Sequence, residues 1–199
     1  IGETVLDIVL KGIQPQAAVP GGSTFNAIIS LGRTAGRRYP DIPIKMVTQM
    51  GNDQVFDIVT AFMKENHVDT DLVNCLEGKQ STVSLAILDQ RNDAHYEFFR
   101  DVTVPAFEAP EIEFNEGDLV IFGSFFAINQ GTREATRALV KKAREAGAIV
   151  YYDINFRKSH LLELPAVKGF IEENCALSDV VRGSSEDIFY IYGSSDATK

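Results

Sequence analysis

The sequence lacks several features that would indicate particular classes of protein. Its two cysteines, Cys75 and Cys175, stand far apart and form no CxxC pair, which indicates two free thiols rather than a disulfide or a metal site. The longest apolar run, residues 119–128, is too short to span a bilayer and is interrupted by glycine and serine. No basic run occurs and the net charge is −9, so we expect neither a nucleic-acid nor a membrane partner.

Sequence motifs for several enzyme classes are missing as well. There is no GxSxG and no GxxxxGK[ST], so hydrolase elbows and P-loop kinases are not supported. The three histidines, His67, His95 and His160, have no spacing typical of a metal site or a catalytic triad.

The distribution of apolar residues indicates an α/β protein. With 199 residues, 45% hydrophobic and 24% charged, the chain can form one well-packed domain. Strands are predicted at its start and at 44–51, a helix capped by Asp53 follows, and residues 81–100 predict a hairpin with "RND" at its turn. Strand, helix and strand then succeed one another over 119–122, 132–146 and 148–154, with a short strand at 177–181, which is typical of a parallel sheet.

The stretch "AVPGGSTFNAIISLG", residues 17–31, places two glycines before a helix. Gly21 and Gly22 permit close approach of a ligand to the first helical N–H groups, which makes Asn26 a candidate binding residue. The alternative is that the glycines form a turn, Ser23 or Thr24 caps the helix, and Asn26 bonds local backbone.

Polar residues follow the strand at 148–154 in "YYDINFRK". In extended backbone Asp153, Asn155 and Arg157 share one face, at the strand end where parallel α/β sheets bind ligands. Arginine can bind phosphate or carboxylate oxygens, and asparagine offers an amide. Alternatively, Asp153 and Asn155 cap the next helix and Arg157 lies on the surface.

Two further stretches contain candidate residues. In "YEFFRDVT", Arg100 follows Phe98 on one hairpin face, where it could clamp a polar ligand or simply stack on the aromatic rings. In "RGSSEDIF", Glu186 is predicted in the first turn of a helix, where its charge is favourable.

Six pieces in order resemble the PfkB or ribokinase-like carbohydrate kinases. They are "GETVLD", "PGGSTFNAIISLG", "TQMGND", the hairpin ending in "FFRD", "DINFR" and "RGSSEDIF", and they cover nearly the whole chain. The resemblance implies a ribokinase-like α/β fold, a mainly parallel sheet flanked by helices, with a small β-sheet lid formed by segments about 8–20 and 81–100. It also implies ATP-dependent, magnesium-assisted phosphorylation of a sugar hydroxyl in a cytoplasmic enzyme.

The same resemblance implies roles for individual residues. Asp7 and Asn26 would bind sugar hydroxyls, and Gly21 and Gly22 would form the hinge between lid and core. The lid would contribute Phe98 and Arg100. Asn155 and Arg157 would line the cleft, and Asn155 would also lie near the nucleotide phosphates. Glu186 would hold Mg²⁺ through water.

Two departures from the family pattern affect this expectation. The NxxE motif here reads "GSSE", with Gly183 in place of asparagine, and the glycine-rich anion hole and the GAGD motif with its catalytic aspartate would lie beyond Lys199. We therefore expect residues 1–199 to be the N-terminal part of one ribokinase-like domain, with no catalytic residue among them.

The identity of the substrate and the oligomeric state are further expectations. "FFRD" with "DINFR" places fructose ahead of 2-keto-3-deoxygluconate, whose carboxylate Arg100 and Arg157 could hold, and a non-catalytic sugar-binding module is the alternative from another class. A two-stranded hairpin needs neighbouring strands, and its exposed face favours a homodimer through the lid.

Overall fold

The computed structural model describes residues 1–36 and 38–194. The chain divides into two compact units, one of Glu3–Pro105 and one of Ile1–Gly2 with Ala106–Lys199. The fold is α/β, and the described residues include five α-helices and nine β-strands.

The unit of residues 3–105 alternates short strands with two helices. Its core is formed by the apolar faces of the helices, with Phe25, Val59 and Met63 fully buried. The elements in chain order are β1 (Val5–Lys11), β2 (Gln14–Gly21), α1 (Ser23–Leu31), β3 (Thr48–Gly51), α2 (Gln54–Glu65), β4 (Val73–Leu76), β5 (Val83–Leu88) and β6 (Ala94–Phe99).

Four of these strands form one mixed sheet in the order β2-β1-β5-β6. β1 pairs antiparallel with β2 and parallel with β5, and β5 pairs antiparallel with β6. The segments 8–20 and 81–100 therefore lie in a single sheet. We call it the four-stranded sheet; most of the side chains on β2 and β6 are exposed.

α2 forms where the apolar periodicity predicts it. Asp53 caps the helix by accepting a hydrogen bond from Phe56 N at 3.0 Å. Val59 and Met63 are buried as expected, whereas Ile58 is 47% exposed, so the apolar stripe of the sequence is wider than the face the helix buries.

The strand predicted over 44–51 is shorter in the structure. β3 begins at Thr48 and pairs in parallel with β4 through Val73, a strand the sequence analysis did not assign. Lys45 forms only an isolated bridge with Asp69, so the chain before β3 does not continue a regular ladder.

The second unit contains a parallel three-stranded sheet in the order β7-β8-β9. Its predicted strand, helix and strand are confirmed, and Gly147 adopts φ 84° two residues after the helix ends at Glu145. Within the described residues, no helix has the length and apolar content needed to cross a bilayer. The elements are β7 (Leu119–Gly123), α3 (Arg133–Glu145), β8 (Ile149–Asp153), α4 (Leu164–Ala176), β9 (Val180–Arg182) and α5 (Ser185–Tyr192).

Candidate functional site

Asp7 is a half-buried carboxylate held in the middle of the four-stranded sheet. Its Cα partner on β5 is Ser84, whose fully buried hydroxyl donates a short hydrogen bond to Asp7 Oδ1. On the other side lies Gly21, where a Cβ would collide with Asp7 Oδ2. Burial raises the pKa of Asp7 above its ordinary value, and the Ser84 hydrogen bond opposes that rise. The sheet thus fixes a carboxylate whose ionisation is costly, which is typical of a functional acid.

The two glycines at the start of α1 have different structural reasons. Gly21 gives room to the Asp7 carboxylate, while Gly22 is the N-cap residue with φ 123° and lies so close to the backbone that a Cβ would stand 2.5 Å from the Glu3 carbonyl oxygen. No side chain caps this helix, so the alternative in which Ser23 or Thr24 caps it is not observed.

Asn26 lies in the first turns of α1 with an exposed side chain. Its backbone N–H donates to Gly22 O at 2.9 Å, as in a regular helix. The alternative in which the Asn26 amide bonds local backbone is not observed, since that amide forms no hydrogen bond with any residue that the structure describes. It is available to a ligand.

Phe98 and Arg100 lie at the end of β6. Phe98 is the Cα partner of Ser84, so Asp7, Ser84 and Phe98 stand in one row across the sheet and share a face. The Arg100 guanidinium stacks over the Phe98 ring at 4.8 Å and lies 3.9 Å from Glu3. Arg100 therefore already has an aromatic and an acidic neighbour within its own unit.

The second group of candidates follows β7 and β8. Ser124 comes directly after β7 with φ 57° and ψ −161°, and Asn155, just after β8, has φ 40°. The Asn155 amide donates to Ser124 Oγ at 3.3 Å. Few residues other than glycine adopt the Ser124 conformation, and such backbone strain is concentrated at functional sites.

The extended face predicted for Asp153, Asn155 and Arg157 is wrong. β8 ends at Asp153, and the positive φ of Asn155 turns the chain away, so the alternation stops there. Buried Asp153 pairs instead with Arg182 of β9, Nη1 to Oδ1 at 2.8 Å. Arg157 is exposed and forms no ion pair with a residue in the described part of the chain.

Glu186 is exposed in the first turn of α5, as predicted. The helix is capped by Ser184, which accepts from Asp187 N, while the Asp187 side chain accepts from Ser184 N at 2.6 Å. Asp187 therefore performs the structural role, and the Glu186 carboxylate is left to solvent. At Gly183, the position where the family pattern has asparagine, a Cβ atom would lie 3.2 Å from the Ile154 side chain.

The structure thus brings together two groups of predicted residues, one in each unit. Asp7, Gly21, Phe98 and Arg100 cluster at the four-stranded sheet with Asn26 at the start of α1, and Asn155 lies with Asp153 at the strand ends of the second unit. Sequence reasoning missed Ser84, Ser124 and Arg182. For the two serines the available signal was a small polar residue within an apolar stretch, as in "VSLAIL" and "FGSFF".

Comparison with known proteins identifies a family. The model of the pfkB family carbohydrate kinases matches residues 12–198. A fructokinase of Vibrio alginolyticus is 22% identical over 197 residues, which are 98% of this chain and 62% of the relative. The chain thus spans about three fifths of the length of that relative.

Solved structures agree in fold. A fructokinase from Vibrio cholerae O395 with bound fructose, ADP and calcium superposes with a TM-score of 0.83 at 22% identity, over 99% of this chain and 63% of that one. The aminoimidazole riboside kinase of Salmonella enterica, bound to aminoimidazole riboside and an ATP analogue, gives a TM-score of 0.78 at 21% identity, over 98% and 62%. Both are ribokinase-like α/β structures.

Proposed function

This chain belongs to the pfkB family of carbohydrate kinases, and from that premise we propose that the protein containing it transfers the terminal phosphoryl group of ATP to a hydroxyl of a small carbohydrate, with fructose as the favoured substrate. The observation that carries the proposal is the Asp7 carboxylate, held by Ser84 above Gly21 on a sheet face that also presents Phe98. Carboxylates that accept hydroxyl hydrogens beside an aromatic ring are suited to binding a sugar.

The carbohydrate contacts are proposed for the unit of residues 3–105. Asp7 accepts hydrogen bonds from sugar hydroxyls, and the exposed amide of Asn26 offers both a donor and an acceptor. Phe98 covers an apolar face of the ring, and Gly22 leaves the start of α1 open to it. These residues orient the acceptor hydroxyl.

The phosphate and metal contacts are proposed for the second unit. Asn155 and Arg157 donate to phosphate oxygens or sugar hydroxyls, and Glu186 holds Mg²⁺ through water. A single exposed carboxylate fits that ion, because Mg²⁺ keeps several waters and takes its other ligands from substrate phosphates. When bound, the ion neutralises charge on the phosphates.

The neighbours of Arg100 favour a neutral sugar over a sugar acid. Glu3 lies 3.9 Å from the guanidinium, so a carboxylate substrate would compete with an acidic group already present. This supports fructose over 2-keto-3-deoxygluconate, and fructokinases are among the similar proteins.

A homodimer through the four-stranded sheet is part of the proposal. Several large apolar side chains on or beside that sheet are exposed, a pattern that a second copy of the chain would cover. They are Ile13, Val19, Tyr96 and Phe99.

The test of the proposed function is a substrate panel with the intact protein that carries this chain. Purified protein, ATP and Mg²⁺ are combined with fructose, 2-keto-3-deoxygluconate, ribose and a nucleoside, and sugar phosphate is followed by ³¹P NMR. We expect phosphorylation of fructose above the others. A different preferred sugar corrects the substrate, and binding of sugar without any phosphate transfer indicates a sugar-binding module instead.

A further inference from the structure

The neighbourhood of Asp7 contains one residue whose placement the family resemblance did not predict. Ser84 lies in β5, directly opposite Asp7 in the parallel ladder, and its side chain is completely buried. A hydroxyl on a buried strand position requires a hydrogen-bond partner, and here that partner is the Asp7 carboxylate.

The two oxygens of the Asp7 carboxylate have different surroundings. Oδ1 accepts the hydroxyl of Ser84, whereas Oδ2 lies over Gly21, where no side chain can stand. Because both contacts come from neighbouring strands of one sheet, the carboxylate plane has little freedom to rotate. One oxygen is used by the fold and the other is left for a ligand.

The charged groups near this face are few. Lys11 of β1 and Tyr96 of β6 lie on the same face as Asp7, while Glu3 precedes β1 and Arg100 follows β6. Arg100 lies 3.9 Å from Glu3, and Lys11 donates to Asn92 Oδ1 at 3.3 Å. β2 contributes Gly21 and Val19 there, and neither residue is charged. Among the described residues, Ser84 is thus the side chain that donates a hydrogen bond to the Asp7 carboxylate.

We propose that Ser84 is a positioning residue for carbohydrate binding: its hydroxyl fixes Asp7 so that Oδ2 is presented to a sugar hydroxyl. This rests on the proposed sugar kinase function. Ser84 also determines the pH range of binding, because its hydrogen bond favours the ionised form of Asp7 while burial favours the neutral form. Without it, the pKa of Asp7 rises further.

The decisive variant is Ser84→Ala in the intact protein. We expect the KM for fructose to rise about 10-fold, the loss expected for a hydrogen bond to a charged group, while the KM for ATP stays unchanged. The acid limb of kcat/KM for fructose shifts to higher pH. An equal loss at every pH would show a merely structural role and overturn the proposal.

A matched control is available on the same segment. Ser81 is also a buried serine whose hydroxyl donates to a carboxylate, Asp53 Oδ1 at 2.9 Å, but Asp53 caps α2. Ser81→Ala makes the same chemical change and is expected to lower the unfolding temperature without moving the acid limb. A shift in the control equal to that in Ser84→Ala would contradict the assignment.

A second measurement separates this proposal from the proposed function. The Asp7 carboxyl is titrated by ¹³C NMR, assigned with Asp7→Asn, in the wild type and in Ser84→Ala. A higher pKa in Ser84→Ala supports the pairing, and identical titrations overturn it. A wild type that phosphorylates no carbohydrate contradicts the sugar kinase function whatever the titration shows.

Discussion

Asp7 stands in a strand whose neighbours are almost all apolar, and the fold disfavours its charge. Because burial raises its pKa, the folded protein binds a proton to Asp7 more readily than the unfolded chain does. The contribution of Asp7 to stability is therefore fully present below its unfolded pKa near 4 and is lost as pH rises through the higher folded pKa. A carboxylate that weakens the fold at neutral pH supports the proposal that Asp7 binds a ligand.

Asp7→Asn tests whether the Asp7 carboxylate lowers stability and binds carbohydrate. We expect carbohydrate affinity to fall about 10- to 100-fold, because an amide is a poorer acceptor than a carboxylate, with nucleotide affinity unchanged. The unfolding temperature at pH 7 is expected to rise, since the neutral amide avoids the cost of the buried charge. Calorimetric titration and thermal melts measure the two effects, with exposed Asp57→Asn as control. Unchanged carbohydrate affinity would remove Asp7 from the site.

Ser124 offers a second test at the residue scale. In the Ser124 conformation, φ 57° and ψ −161°, a residue with a Cβ atom has a backbone strain of about 1 to 3 kcal/mol, whereas glycine has none. Ser124→Gly should therefore be more stable than Ser124→Ala, by about that amount, although both lose the bond to Asn155. The order should reverse at Ser30 in α1, where alanine is better than glycine by about 1 kcal/mol. Denaturant unfolding of the four variants measures these differences in the free energy of unfolding. If the alanine variant is more stable than the glycine variant at both sites, Ser124 is not strained.

At the scale of elements, the sequence predicts those that carry both a period and an end signal. α2 has its apolar stripe and Asp53, and the hairpin of β5 and β6 has "RND" at its turn. β4 has neither a period nor an end signal, because its four residues show no alternation of apolar and polar side chains. It is stabilised as a strand by its pairing with β3. The parallel register that places Ser84 opposite Asp7 joins residues 77 positions apart, and no local pattern encodes it.

Asp53 links two elements, which gives a prediction for acid stability. Although burial opposes its ionisation, hydrogen bonds from Ser81 and Phe56 hold its pKa below the ordinary value. The charged form thus stabilises the fold above the unfolded pKa near 4, and this stabilisation disappears as pH falls through the lower folded pKa. Asp53→Ala should cost about 1 to 2 kcal/mol at pH 7, the loss of a helix cap, and less at pH 3. Urea unfolding at both pH values measures this; an equal loss at both would contradict it.

At the scale of the whole molecule, the four-stranded sheet has two edge strands, β2 and β6, and exposed apolar side chains. We expect the intact protein to sediment as a homodimer at micromolar concentration. Phe99→Ser on β6 should shift it toward the monomer. Phe189→Ser is the matched control, because Phe189 in the other unit is 54% exposed against 56% for Phe99. A monomer in the wild type, or equal dissociation in both variants, argues against a dimer through this sheet.

The last prediction concerns catalysis by the 199 residues alone. Phosphoryl transfer depends on positioning and on charge stabilisation, a general base typically adds 10²- to 10⁴-fold, and an anion hole commonly adds more. Among the described residues, the buried carboxylate of Asp153 is already paired with Arg182, so it is not free to take the proton of a sugar hydroxyl. We therefore expect the purified stretch, given saturating ATP, Mg²⁺ and fructose, to form no detectable sugar phosphate. The intact protein is assayed beside it, and circular dichroism checks that the stretch is folded. Sugar-dependent ATP turnover by the stretch that disappears in Asp153→Ala would show that Asp153 is the base and that these residues contain the catalytic machinery.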